Sequence, residues 1–425
     1  MAAPPRPRSL PIAPHAAPAR RRLELAPDAR DVDRRWRPIY CVWEITLRCD
    51  LACRHCGSRA GRARPDELTR AEALDVVDQM AELGVMEVTI IGGEAYLRDD
   101  WTDIAAHIVR RGMTCTMTTG GRGLDAARAR AVKDAGITHV SVSVDGLRET
   151  HDMLRAVEGS HASALSAIAS LQDVGVPVTA NTQIGKANLG ELDALFDLLA
   201  DAGVRQWQVQ LTAAMGRAAD EPDLLLEPHQ VLDVMAALAR IKPRADARHI
   251  RIWPGNNIGY FGPYEELLRG RLPAPRSCAA GKATLGIEAN GDVKGCPSLP
   301  TAPYVGGNLR DAKLVDIWER SAELRFARDR TAAELWGYCA GCYYADDCRA
   351  GCSWTSHVLF GKRGNNPLCH HRAIELLREG KRERLVRRRE ADGAPFDHGL
   401  YEIVLEDWPG DELEAARALV PEACR

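Results

Sequence analysis

The chain has 425 residues, 45% of them hydrophobic, with 56 basic against 59 acidic side chains and a formal net charge of −3. That length supplies one large α/β domain and a smaller one with a substantial core, and the near balance of charge offers no bulk field to a polyanion such as nucleic acid. Thirteen cysteines are many for a reducing compartment, where they ligate metal or carry chemistry before they pair, so a small disulfide-stapled scaffold is excluded.

Residues 1–38 are basic and rich in proline and alanine but lack the apolar run of a signal or membrane segment. They read as a disordered lead-in to a soluble, cytoplasmic protein with no membrane partner. Six β-branched or apolar runs follow, at 40–46, 86–93, 113–119, 138–146, 176–184 and 205–211. Between them lie stretches such as LTRAEALDVVDQMAELG, with apolar residues at helical spacing and a glycine stop. Repeated βα units imply a parallel sheet covered by helices, and six of them an open, partial (β/α)6 barrel of the TIM type over 39–215. A bridging helical region spans 216–275, with one clear helix in HQVLDVMAALARI. Residues 276–375 form a smaller cysteine-rich domain whose LGIEANGDVKGC reads as a hairpin turning at Asn290-Gly291. Residues 376–425 are a C-terminal tail. Its basic run KRERLVRRRE, 381–390, reads as the solvated face of a helix in preference to a dock for an acidic peptide.

Cys49, Cys53 and Cys56 follow the first strand at spacing C-x3-C-x2-C. A [4Fe–4S] cluster takes four thiolates, so a loop supplying three leaves one iron for a non-protein ligand. A structural zinc site wants four protein ligands and fits this loop poorly. The motif after a first barrel strand resembles the radical S-adenosylmethionine (radical SAM) superfamily, with His55 at a position where that family commonly has a ring-bearing residue. The resemblance implies that S-adenosylmethionine chelates the free iron and is cleaved reductively to a 5′-deoxyadenosyl radical that takes hydrogen from substrate. Gly92, Gly93 and Glu94 end the second strand and look like the family's glycine-rich edge at the cofactor's methionine part. Glycine allows close backbone approach, and Glu94 can accept from an ammonium. Further strand ends, TMTTGG (116–121) and SVSVDG (141–146), are similar to segments near the ribose and adenine. There Ser143 is a candidate for a ribose hydroxyl, and Arg155 for the cofactor carboxylate.

The later thiols run Cys278, Cys296, Cys339, Cys342, Cys348, Cys352 and Cys369. This order resembles the SPASM extension of a subset of radical SAM enzymes, which holds two auxiliary iron–sulfur clusters. Position by position, Cys278, Cys296 and Cys352 would ligate the first, and Cys339, Cys342, Cys348 and Cys369 the second. Some members add a fourth ligand six residues after the first; here that residue is Thr284. The first auxiliary cluster is then open, or closed by Cys41, Cys115 or Cys424. Cys115 reads as a buried inert thiol, Cys424 as part of a mobile tail, and His370 and His371 as surface or supporting residues.

The resemblance implies an oxidoreductase of the peptide-maturase type, modifying or crosslinking a ribosomally synthesised peptide. It would take electrons from an external donor such as flavodoxin or ferredoxin. Residues before 40 are too few for the small winged-helix domain some relatives use, so another surface of the chain or a separate leader-peptide-binding protein is expected to recognise a peptide substrate. The alternatives are sulfatase maturation, against which Pro297 stands where those relatives have aspartate, tailoring of a porphyrin-type cofactor precursor, and a zinc-stabilised binding protein.

Overall fold

The computed structural model describes residues 36–270 and 277–424; residues 1–35 of the expected lead-in lie outside that range. The six expected strands are present as β1 (Tyr40–Thr46), β2 (Glu87–Gly92), β3 (Thr114–Thr119), β4 (His139–Ser143), β5 (Val178–Ile184) and β6 (Gln206–Leu211), each parallel to the next. The sheet is wider than those six. The bridging region contributes β7 (Arg251–Pro254), parallel to β6. On the other side β8 (Thr284–Ile287) joins β1 in parallel, turns into the antiparallel β9 (Asp292–Lys294) at the expected Asn290-Gly291 hairpin, and β10 (Val305–Asn308) closes the edge. One ten-stranded sheet therefore runs through the barrel and into the cysteine-rich region.

Helices α1 (Arg70–Leu83), α2 (Trp101–Arg110), α3 (Ala126–Asp134), α4 (Arg148–Arg155), α5 (Ser160–Asp173), α6 (Leu192–Asp201) and α7 (Val231–Ala247) alternate with the strands. Thr69 and Glu72 form a capping box that starts α1. Strand side chains alternate between faces, and here the two faces differ in kind. One carries Trp43, Ile90, Met117, Val142, Trp207 and Val209, all buried in the main core with residues of the helices. The opposite, concave face carries Thr89, Thr116, Ser141, Asn181 and Gln208. It is polar, and Thr89 Oγ1 links to Thr116 Oγ1 at 2.7 Å and to Tyr40 Oη at 2.9 Å.

The C-terminal region departs from expectation. Residues Lys381–Arg389 form strand β11, not a helix, paired antiparallel with β12 (Leu400–Asp407). The reason is charge across the ladder: Arg382 meets Glu406 at 2.7 Å, Arg388 meets Glu402 at 2.6 Å and Lys381 meets Asp407 at 2.6 Å. Opposite charges facing across strands stabilise the pairing. Nor does the end hang loose. Helix α8 (Ser353–Phe360) and α9 (His370–Arg378) precede the hairpin, and α10 (Gly410–Ala418) follows it. Ala416 and Val420 enter the main core, and Arg378 Nε donates to the Cys424 carbonyl at 3.0 Å. Among the described residues no helix is long and apolar enough to cross a membrane.

Trp207 is fully buried, stacks at a tilt 6.2 Å from Phe196 of α6, and donates from Nε1 to Thr182 Oγ1 at 2.8 Å. Trp207→Ala is expected to destabilise the fold by about 3–5 kcal/mol and Trp207→Phe by clearly less, read from denaturant midpoints.

Candidate functional site

The loop carrying Cys49, Cys53 and Cys56 leaves β1 at its C-terminal end, where βα folds place their reactive centres. Its ends are tied together by Cys49 N donating to Gly61 O and Gly61 N donating to Leu47 O, both at 3.0 Å. Burial first, then the charge of Glu94, Cys53 and Cys56, pushes the Cys49 thiol up to about 12, against a backbone hydrogen bond from Leu51. Cys53 is likewise raised by burial, with Arg155 opposing the shift. Arg217, which the sequence reading passed over, clamps the loop from outside. Its Nε donates to Cys53 O at 2.6 Å, its Nη1 to Ala60 O at 3.1 Å, and its backbone N–H to Cys56 O at 2.9 Å.

The glycines ending β2 serve the loop. Gly93 N donates to Thr46 O at 2.9 Å and Glu94 N to Arg48 O at 2.8 Å. A Cβ on Gly93 would overlap Arg48 O and lie 2.6 Å from Cys49 Cβ, and one on Gly92 would overlap Thr46 O. Their missing side chains make room for the protein's own cysteine loop. Glu94 is then fixed by Thr119 Oγ1 and Gly120 N, each donating to it at 2.6 Å. Burial pushes its carboxyl up to about 7 against those two bonds. The Cys49 Sγ, an Asp50 carboxylate oxygen and a Glu94 carboxylate oxygen all lie within 4.8 Å of one another.

Arg155 turns toward protein partners. Its Nη2 lies 2.5 Å from Asp145 Oδ2 and its Nη1 donates to Cys53 Sγ at 3.5 Å. His55 Nε2 stands 3.1 Å from the same carboxylate oxygen. Burial alone would raise Asp145, but Arg155 and then His55 overcome it and hold the carboxyl well below the usual range. Asp145 lies in the SVSVDG segment, two residues beyond Ser143, yet only the fold reveals it as the hub. Ser143 itself sits on the concave face, in register with Asn181 of β5.

The later thiols sort into two groups. Burial, then Cys278 and Cys352, raises Cys296 to about 12, and burial with Cys278 raises Cys352 to about 11. Burial raises Cys348 to about 12, with Cys369, Cys339 and Cys342 adding to it, and Cys369 to about 11, with Cys339 and Cys342 adding. A small cavity of about 30 Å³ opens beside the second group, walled by Tyr260, Phe261, Tyr338 and Tyr344. Between Cys348 and Cys352 the chain passes through three consecutive left-handed residues, Arg349, Ala350 and Gly351 (φ 50°, 59° and 57°). Cys41 and Cys115 flank Val88 in the sheet, and burial alone raises both. Thr284, in the position of the additional ligand, begins β8. His370 is buried and stacks on Tyr264, while His371 borders the cavity.

Residues 43–199 match the radical SAM superfamily and residues 278–343 the SPASM iron–sulfur cluster-binding domain. The chain carries a radical SAM superfamily domain followed by a C-terminal SPASM extension, the architecture of a radical-generating enzyme. It is 27% identical to the AdoMet-dependent heme synthase of Nitratidesulfovibrio vulgaris over 354 residues, 78% of this chain and 92% of that one. It is 28% identical to the mycofactocin maturase MftC of Mycobacterium ulcerans over 318 residues, 74% of this chain and 83% of that one. In fold it is similar to Streptococcus suis SuiB bound to S-adenosylmethionine, with TM-score 0.60 at 17% identity over 75% of this chain and 73% of that chain. It is also similar to anSMEcpe with bound AdoMet, with TM-score 0.62 at 12% identity over 80% of this chain and 95% of that chain.

These domains imply iron–sulfur clusters and S-adenosylmethionine, and the residues present suit them. The donors are soft, free thiols. Around the first loop His55 Nδ1, Asp50 Oδ1 and Arg155 Nε are buried without a hydrogen-bond partner among the described residues, which leaves polar capacity for a polar ligand.

Removing Arg155 would leave the buried Asp145 with His55 and the Gln183 N–H, which donates to Oδ1 at 2.9 Å, as its partners. Arg155→Met is expected to cost about 3–5 kcal/mol, and adding Asp145→Asn to recover part of that loss, measured by chemical denaturation. Gly93→Ala is expected to displace the cysteine loop and lower the iron bound per chain after anaerobic reconstitution, while Gly84→Ala, remote from the loop, leaves it unchanged.

Proposed function

We propose that this chain modifies a ribosomally synthesised peptide by radical chemistry, holding one [4Fe–4S] cluster on Cys49, Cys53 and Cys56 and two auxiliary clusters on the later thiols. When bound, the first cluster and S-adenosylmethionine supply a 5′-deoxyadenosyl radical that abstracts hydrogen from substrate. The protein's part is to bind, orient and shield. Arg155 beside Cys53 favours the thiolate that ligates metal, and Arg217 fixes the loop that presents it. Glu94 is placed to accept hydrogen bonds from the ammonium of S-adenosylmethionine, with Gly92 and Gly93 bringing it there and Ser143 available to a ribose hydroxyl. Cys278, Cys296 and Cys352 hold the first auxiliary cluster; Cys339, Cys342, Cys348 and Cys369 hold the second. An external flavodoxin or ferredoxin supplies the electron, and a separate protein presents the leader of the peptide.

The observation that carries this reading is the order of the two matched regions, radical SAM over 43–199 and the SPASM iron–sulfur cluster-binding domain from 278, with seven cysteines spread over 92 positions from Cys278 to Cys369. The relatives named as maturases support the peptide. A second reading, tailoring of a porphyrin-type precursor, is favoured by relatives named as heme synthase and Fe-coproporphyrin III synthase, at 27% and 28% identity.

Reconstituted without air, the protein is expected to bind about twelve irons, as three [4Fe–4S] clusters require, and to convert S-adenosylmethionine to methionine and 5′-deoxyadenosine under a strong reductant. Cys339→Ala is expected to lower the iron by about four per chain, with the S-adenosylmethionine-dependent spectral signature retained. Mass spectrometry of short peptides encoded beside the gene, set against coproporphyrin III, separates the two substrate readings. Full iron content with no cleavage of S-adenosylmethionine would sink both.

A further inference from the structure

The concave face of the sheet carries four carboxamides on two adjacent strands. Asn181 and Gln183 of β5 stand in register with Gln208 and Gln210 of β6. Their neighbours Ala180, Thr182, Trp207 and Val209 are fully buried, so the amides project to the opposite, inner side. All four are half-buried. The row at Asn181 and Gln208 runs from Ser143 on β4 to Trp253 on the outer strand β7, which is 44% exposed. It therefore leads from the open edge of the barrel to the candidate cofactor site.

These amides are scarcely used by the protein. Gln210 Nε2 donates to Asn181 Oδ1 at 3.3 Å, and among the described residues the side chains of Gln183 and Gln208 show no hydrogen-bond partner. Each carboxamide offers two donors and an acceptor, the same groups that pair with a peptide unit. Alternate residues on a strand lie about 6.6 Å apart, the two-residue repeat of an extended chain, so Asn181 with Gln183, or Gln208 with Gln210, match alternate amides of a substrate in that form, those that point to one side. The four side chains carry no charge, and the one cation in line with them on β7, Arg251, stacks 4.3 Å over the ring of Trp253. Basic side chains nearer the mouth are held by carboxylates: Arg54 by Glu221, Arg59 by Asp220 and Asp397, Arg64 by Glu44 and Glu288, and Lys186 by Glu227. A polycarboxylate such as a tetrapyrrole would want those cations free.

We propose that Asn181, Gln183, Gln208 and Gln210 form the surface on which the main chain of the substrate lies, selecting an extended, neutral peptide segment over a polycarboxylate. This rests on the peptide reading above and names the residues that decide it.

The test uses the full chain, reconstituted without air, and two probes: acetyl-pentaglycine-amide, which has main-chain amides and no side chains, and coproporphyrin III. Saturation-transfer NMR follows the first and absorbance titration the second. Pentaglycine is expected to bind the native protein and to weaken at least tenfold in the N181L/Q208L double variant, with coproporphyrin III binding unaltered. Iron per chain and thermal midpoint report whether that variant is folded. Should it lose iron, Gln208→Met is compared instead, with at least a threefold weakening expected. Equal pentaglycine affinity in a folded variant, or no pentaglycine binding to the native protein, overturns the proposal. Failure to cleave S-adenosylmethionine is a separate readout that strikes the reaction class and leaves this binding result standing.

Discussion

Everything at the mouth of the barrel depends on a close backbone contact between the end of β2 and the loop after β1. Two N–H groups, of Gly93 and Glu94, reach the carbonyls of Thr46 and Arg48, and they do so only because no Cβ intervenes. That contact holds the loop with its thiols turned inward, and it brings the Glu94 carboxylate to Cys49. Hydrogen bonds from β3 then fix Glu94 from the other side. Three successive strand ends thus converge on one point, which is what a parallel sheet makes possible and a single long loop would not.

The second consequence of the sheet is continuity. Because β8 pairs directly with β1, the cysteine-rich region is an extension of the barrel wall. A buried charge network crosses the seam: Arg64 lies 3.2 Å from Glu44 of β1 and 2.9 Å from Glu288, and Lys294 of β9 lies 2.6 Å from Glu288. Breaking one member would strand the others away from water, so the network is a strict specifier of how the two regions meet.

Much of this was legible in the sequence, for physical reasons that can be named. The six strands stood out because each is a short apolar or β-branched run closed by a turn, and the cysteine loop because metal chemistry needs fixed spacing. Glu94 was legible as part of a triplet at a strand end. Arg217 was not: it works by donating to main-chain carbonyls of a loop more than 150 positions earlier, and such a role leaves no local pattern. Asp145 was hidden for a similar reason, since its partners His55 and Arg155 come together only in the fold. The run from Lys381 misled because its charges seemed to want water; their partners, Glu402, Glu406 and Asp407, lie beyond a turn and make sense only as a pair of strands. The contact of Gly92 and Gly93 with the cysteine loop was not legible either, since space needed by the chain itself looks the same in sequence as space reserved for a ligand.

The left-handed passage at Arg349, Ala350 and Gly351 has a mechanical meaning. In the assignment proposed above Cys348 and Cys352 go to different clusters, with only these three residues between them. A coil this short and tightly wound acts as a ruler: the span from Cys348 to Cys352 is set by main-chain geometry and leaves little slack for a hinge.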